Sequence, residues 1–219
     1  MPNWCTNRIK FTGNYESVNK LYQFIHDQIN IPFIHEAFRF DKNTFLGTFL
    51  ERAGLNSDNF RYRGQIIEWP TPPQACNDNK DNYEITIYTE SAWVPMIAMW
   101  LAIIKKISPD VQLFYASREC GMRIYQSNDP DYINNFIVDT WISSPDTIPS
   151  QLRGTMFGEN YFDDDVSKDT LRGELLKAFP NRSDESTSGL IAMLKGLDFD
   201  DDNFVSINQW DYVSASEQE

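Results

Sequence analysis

An α+β fold is predicted by three features of the sequence: strict two-residue alternation near the start, two apolar segments with helical spacing, and turn residues that separate them. Cys5 to Phe11 alternates, with Asn7, Ile9 and Phe11 on one face and Thr6, Arg8 and Lys10 on the other, until Gly13 ends the strand. Asn14 or Ser17 then caps a helix in which Val18, Leu21, Tyr22, Ile25 and Ile29 share a face, and Pro32 stops it. Residues 33–80 read as a loop-rich insertion. Within it Asn43 is placed to cap a short helix with Phe45, Leu46, Phe49, Leu50 and Ala53 inward, closed by Gly54. Arg61 to Trp69 fits a strand, and the proline cluster Pro70, Pro72 and Pro73 followed by the polar stretch 77–82 fits an exposed loop. Tyr83 to Thr89 reads as a strand and Val94 to Ile107 as a mostly apolar helix. Val111 to Ser117 and Met122 to Ser127 form a hairpin through Glu119, Cys120 and Gly121, with Gly121 the residue for a positive φ. Strand, helix, insertion, strand, helix, strand, strand describes an antiparallel-rich sheet with helices on one face, a ferredoxin-like layout over residues 1–127.

Residues 128–219 are expected to form an acidic, mainly helical C-terminal region. A helix starting at Asp129 and Pro130 would align Ile133, Phe136, Ile137 and Trp141, and a linker follows at 143–150, where prolines and serines concentrate. Leu171, Leu175, Leu176 and Phe179 mark one short amphipathic helix, and Leu190, Met193, Leu194 and Leu197 mark another. Phe204 to Trp210 is a candidate final strand. The charge divides at the same boundary. Residues 1–127 hold 13 Lys+Arg and 13 Asp+Glu, whereas 128–219 hold 6 and 19, so the whole net charge of −13 lies in the second segment. Two dense runs carry much of it: Asp163, Asp164 and Asp165, and Asp198, Asp200, Asp201 and Asp202.

Fifteen Phe, 10 Tyr and 6 Trp in 219 residues supply a real core, which argues against general disorder. Trp4, Trp93, Trp100 and Trp141 are expected inside it, while Trp69, in the proline loop, is the candidate for an exposed anchor on a partner. No secretory pattern opens the chain and the apolar run from Ala92 to Ile104 is too short to span a bilayer, so a cytoplasmic protein without membrane association is expected. Three scattered cysteines, Cys5, Cys76 and Cys120, fit free thiols rather than a disulfide framework or a zinc cage. Asp198, Asp200 and Asp202 match the first, third and fifth positions of a calcium loop. Asn203 stands where the glycine belongs, however, and Gln209 where the bidentate glutamate belongs, so no metal and no cofactor is expected. Phosphate-loop, dinucleotide, nucleophile-elbow and zinc-protease motifs are absent, and His26 and His35 are the sole histidines, so no catalytic residue is assigned and a non-enzymatic role is favoured.

Met1-Pro2-Asn3-Trp4-Cys5-Thr6-Asn7-Arg8, followed by a β pattern and Gly13, resembles the opening of the YubB-like proteins of phages and conjugative plasmids. Glu90-Ser91-Ala92-Trp93-Val94-Pro95, then a helix, then Pro109-Asp110 and the Glu119-Cys120-Gly121-Met122 hairpin, is similar to the second half of that family. The resemblance covers residues 1–127 and implies a ferredoxin-like domain in a mobile-element setting, with no transferable activity. Together with the charge asymmetry it leads to the expectation of an accessory protein, with counter-defence as the role, whose two aspartate runs and Trp69 engage a basic host protein. Repulsion makes direct nucleic-acid binding by the acidic region unfavourable. The alternatives are a small enzyme with a site in the 33–80 insertion built from Glu68, Arg61, Arg63 and His35, or an oligomerising structural protein, the oligomeric state being open.

Overall fold

The computed structural model describes residues 3–31, 33–35, 38–40, 43–77, 79–119, 121–144, 146–200 and 202–217. Two compact units are present, one formed by Met1–Asp129 with Tyr212–Glu219 and the other by Pro130–Asp211. The chain is α+β throughout, and its sheets are mostly antiparallel.

In the first unit β1 (Trp4–Gly13) leads into α1 (Tyr15–Ile29), whose N-cap is Asn14: its side-chain oxygen accepts the Ser17 N–H at 2.9 Å. The hairpin β2 (Phe33–His35) and β3 (Phe38–Phe40) and the helix α2 (Leu46–Arg52) follow. Phe45, not Asn43, occupies the α2 N-cap position, and it supplies no side-chain cap. Gly54, at φ +63°, ends the turn after α2. Next come β4 (Gly64–Glu68), β5 (Gln74–Ala75), β6 (Tyr83–Ala92), α3 (Ile97–Ile107), β7 (Gln112–Glu119) and β8 (Ile124–Ser127). The order across the sheet is β8-β7-β1-β6-β4, with β1 antiparallel to both β6 and β7. The connections β1-α1-β4 and β6-α3-β7 therefore each step over one intervening strand. Ile9, Phe11, Ile85, Ile87, Leu113 and Tyr115 form the covered face of the sheet beneath α1, α2 and α3. Trp100 is wholly buried there, with its ring 5.7 Å from Phe11 and 5.6 Å from Phe49. In the β7–β8 turn the positive φ falls on Arg123 (+56°) rather than on Gly121, while Cys120 lies outside the described residues. At Tyr212 the chain returns to this unit: β12 (Asp211–Tyr212) lies beside β8, Val213 N–H donates to Ser127 C=O, and the Tyr115 hydroxyl donates to Val213 C=O at 2.9 Å.

The second unit corrects the expectation of a mainly helical region. After a single turn, α4 (Pro130–Ile133), the chain becomes β9 (Asn135–Trp141), the centre of a three-stranded sheet ordered β10-β9-β11, with β10 (Tyr161–Ser167) and β11 (Phe204–Gln209) both antiparallel to it. Phe136 and Val138 face the core while Ile137 faces the other way, the period of a strand rather than of the helix expected there. The segment 143–150 is not a linker. Ile148 is buried in the core, and Ser143 and Thr147 hydrogen-bond the buried Asn203 side chain. Helices α5 (Lys168–Ala178) and α6 (Thr187–Lys195) stand where their apolar spacing places them, capped by Ser167 and Ser186. Leu171, Leu175, Leu190 and Leu194 cover the face of Val138, Val166 and Ile207.

Among the described residues of the first unit Lys10, Glu119 and Asp129 are buried charged groups; Glu119 accepts the Gly121 and Met122 N–H groups in its own turn, whereas Lys10 and Asp129 answer one another. Asp129 is fully buried beside β1 and receives Arg8 Nη1 at 3.0 Å and Lys10 Nζ at 2.9 Å; its own N–H donates to Ser127 Oγ. Removing one member of a buried ion group leaves the others desolvated and unpaired, which costs roughly 3 kcal/mol or more. Asp129→Ala is accordingly expected to lower the stability of the first unit by about 3 kcal/mol, read from the urea midpoint, and Asp129→Asn by less because it keeps a hydrogen-bond acceptor.

Candidate functional site

The outer face of the second unit's sheet combines aromatic and acidic side chains in adjacent rows. Register alone places them, because residues directly opposite on paired strands share a face and residues two apart along a strand repeat it, about 7 Å further on. Tyr161 pairs with Trp141 and Trp141 with Phe204, so three aromatics cross the sheet side by side. They are 62%, 51% and 47% exposed, and the Trp141 and Tyr161 rings meet edge to face at 6.3 Å. The next row along is Asp163, Asp139 and Ser206, and the one after is Asp165, Ile137 and Asn208. Asp165 accepts the Trp210 indole N–H at 3.0 Å, and Trp210 itself is buried and packed against Tyr132.

The two aspartate runs stand in different structural positions. Asp163 and Asp165 lie on the aromatic face, whereas Asp164 points to the opposite face, opposite Val138, and stays exposed. Three consecutive aspartates on β10, an edge strand, also blunt its unpaired side against further strand pairing, and Asp164 serves that structural role best. Asp198, Asp200 and Asp202 are exposed in the loop that leads into Phe204, at the aromatic end of the sheet, and Asp201 lies outside the described residues. Asn203, the sixth position of the calcium-loop pattern, gives its side chain to Ser143 and Thr147, so the loop is shaped by that amide. Among the described residues no group of three His, Cys, Asp or Glu could hold a metal ion. Trp69 is 45% exposed and belongs to the first unit, whereas the aspartate runs belong to the second.

Trp4, Trp93 and Trp141, expected in the core, are each about half exposed, while Trp210, left unassigned by the sequence, is buried. A 3.6-residue period through Ile133, Phe136, Ile137 and Trp141 hides Trp141, and the alternation Ile137, Asp139, Trp141 is the signal that exposes it; Tyr161 and Phe204 flank the aspartate runs in the sequence, and only strand pairing brings them beside Trp141.

Of the residues proposed for an enzyme in the insertion, Arg61 and Arg63 line one cavity of the first unit; Glu68 does not, and the His35 side chain lies outside the description. Cys5 is fully buried. Its thiol sits 2.9 Å from Ser117 Oγ, which donates to Asn7 Oδ1, so the thiol is the donor and has a structural rather than a nucleophilic role. No family model, curated protein or solved structure matches this chain. Among the described residues no helix is long and apolar enough to cross a membrane.

Glu174 on α5 pins the loop of the second unit: its carboxylate accepts the Met156 N–H at 3.0 Å and pairs with Lys177. Burial pushes its pKa up, but the Lys177 ammonium and the Met156 N–H outweigh this and hold it below the ordinary 4.5. A depressed carboxylate pKa contributes stability above the unfolded value and loses it as pH falls through the folded value. Stability of the second unit is therefore expected to drop below pH 4.5, and Glu174→Gln to flatten that part of the profile, as followed by urea midpoints at neutral and acid pH.

Proposed function

We propose that this chain is a binding protein that docks a basic protein surface on the outer face of β9, β10 and β11. The observation that carries the reading is the row Tyr161, Trp141 and Phe204 lying directly beside the row Asp163 and Asp139. Exposed aromatic faces attract cations through their quadrupole, and carboxylates one row away complete the pair for an arginine or lysine whose head must be neutralised and whose stem must be covered. The second unit holds 6 Lys+Arg against 16 Asp+Glu, which adds long-range attraction for such a partner and repels nucleic acid.

Two further parts of the reading rest on other grounds. The strand order β7-β1-β6-β4, with α1 and α3 crossing over one face, supports a ferredoxin-like first unit carrying the acidic unit as an appendage. The similarity of the first 127 residues to YubB-like proteins supports an accessory role in a phage or plasmid, with a basic host protein as target and counter-defence as the purpose. An arginine-rich peptide titrated into the full-length protein by calorimetry tests the docking face. Trp141→Ala is expected to weaken binding about tenfold without changing its salt dependence, and Asp139→Asn with Asp163→Asn to weaken it similarly while flattening the salt dependence. The second pair is expected to leave the thermal midpoint unchanged or raised, because like charges directly opposite on paired strands are destabilising. Equal binding by all variants overturns the reading.

A further inference from the structure

The first unit has a cavity of about 1070 Å³ at the end of the sheet where β1 begins, β6 ends and β4 begins. Three hydrogen-bonded neighbours build it. Trp4 pairs with Ala92, Ala92 N–H donates to Arg63 C=O at 2.9 Å, and Trp93 N–H donates to Asn3 C=O at 2.9 Å. The strand ends thereby bring Trp4, Trp93, Tyr62, Arg61 and Arg63 to one opening, with Glu51 of α2 at its edge.

Its aromatic walls are held by specific backbone features. Trp93 has φ +74°, a strained conformation for a bulky residue and one that clusters at binding sites. Its surroundings enforce it: besides the Asn3 bond, Ser91 Oγ donates to Val94 C=O at 2.8 Å and is itself held by Asn7. Tyr62 lies over Gly47, where an added Cβ would come within 2.7 Å of the ring, so glycine is what lets the phenol settle on α2. Trp4, Trp93 and Tyr62 nonetheless remain 47%, 47% and 42% exposed. Among the described residues neither Arg61 nor Arg63 has an ion-pair partner.

We infer that this cavity binds a nucleoside monophosphate unit, its base stacked on the indole and phenol faces and its phosphate held by Arg61 and Arg63. Flat π surfaces take any base, and the guanidinium fork matches phosphate oxygens in pairs. Two arginines against one carboxylate suit a single phosphate better than a triphosphate, and the volume exceeds what one nucleotide needs. A second cavity of about 800 Å³ shares Phe60, Arg61 and Met96 with this one, but Asp58 and Glu217 line it, so the phosphate subsite is confined to the first. The site belongs to the first unit, which holds 13 Lys+Arg against 16 Asp+Glu, so repulsion of a nucleic acid is far weaker here than at the second unit with its 6 against 16.

Calorimetry and tryptophan side-chain NMR on the full chain test this with AMP, adenosine and a short single-stranded oligonucleotide. AMP is expected to bind, to shift indole N–H resonances, and to bind at least tenfold more tightly than adenosine. Arg61→Gln with Arg63→Gln is expected to remove that advantage, bringing AMP down to the adenosine level. Trp93→Gly removes the indole at a position whose φ suits glycine, so the fold is kept while affinity for both AMP and adenosine falls about tenfold. Binding of AMP identifies a free nucleotide as sufficient, whereas binding of the oligonucleotide alone identifies a single strand as the source. If neither probe binds, or if binding survives both sets of substitutions, the inference is wrong. Asp139→Asn with Asp163→Asn should leave AMP binding unchanged, which separates this site from the docking face.

Discussion

The burial of Asp129 between Arg8 and Lys10 is the interaction on which the first unit turns, because it lets one strand be covered on both faces. β1 lies at the middle of its sheet, hydrogen-bonded to β6 on one side and β7 on the other. Ile9 and Phe11 on one face enter the apolar core, where the hydrophobic effect suffices. Arg8 and Lys10 point the other way. Lys10 is almost completely withdrawn from water, and such a charge is stable only with a close, well-bonded partner. Asp129 supplies it with both carboxylate oxygens engaged, and Ser127 fixes the backbone that delivers it. The same strand holds a neutral polar network in which the Asn7 amide reaches Thr89 and Ser91 and accepts from Ser117, joining β6 and β7 through one side chain. This network also props the turn from which Trp93 projects, so the core of the sheet and the cavity at its end share their supports.

The two units solve the problem of an exposed sheet surface differently. In the second unit α5 and α6 cover one face, and at one end the other face keeps three aromatics in water. Such a row would be a liability on a neutral surface. Here the adjacent carboxylates and the aspartates on the β10 edge would set like charges against a second copy of the same face. In the first unit, exposed aromatics are instead gathered at the strand ends around two arginines. Charge is thus allocated by unit: the acidic excess surrounds one aromatic surface and guanidinium groups surround the other. The two surfaces therefore differ in the charge that surrounds their aromatic rings.

Local signals placed β1, α1, α3, the β7–β8 hairpin, α5, α6 and β11, because in each the apolar period, the cap or the turn residue agrees with the tertiary environment. They failed where two periods compete. Between Ile133 and Trp141 the apolar residues satisfy a helical spacing, but Phe136, Ile137 and Val138 are β-prone neighbours that pack on both sides of a central strand. In Tyr161 to Ser167 three central aspartates offset the strand preference of Tyr161, Phe162 and Val166, so pairing with β9 decides that it is a strand. Trp4 and Trp93 looked like core residues because an aromatic at a strand or helix boundary is usually buried; these two sit at the sheet's open end instead.

By itself the sequence determined the α+β class, the helices with clear caps, and the concentration of negative charge after residue 127, since all of these depend on spacing and composition along the chain. Only the tertiary structure decided which charges and rings become neighbours. Asp163 falls in the row beside Trp141 and Tyr161, Asp164 is turned to the other face, Arg63 and Trp93 line one cavity, and the final residues belong to the first unit although the whole second unit precedes them in the chain. The physical reason is that strand register and long-range pairing bring together residues tens of positions apart, and no local preference encodes them.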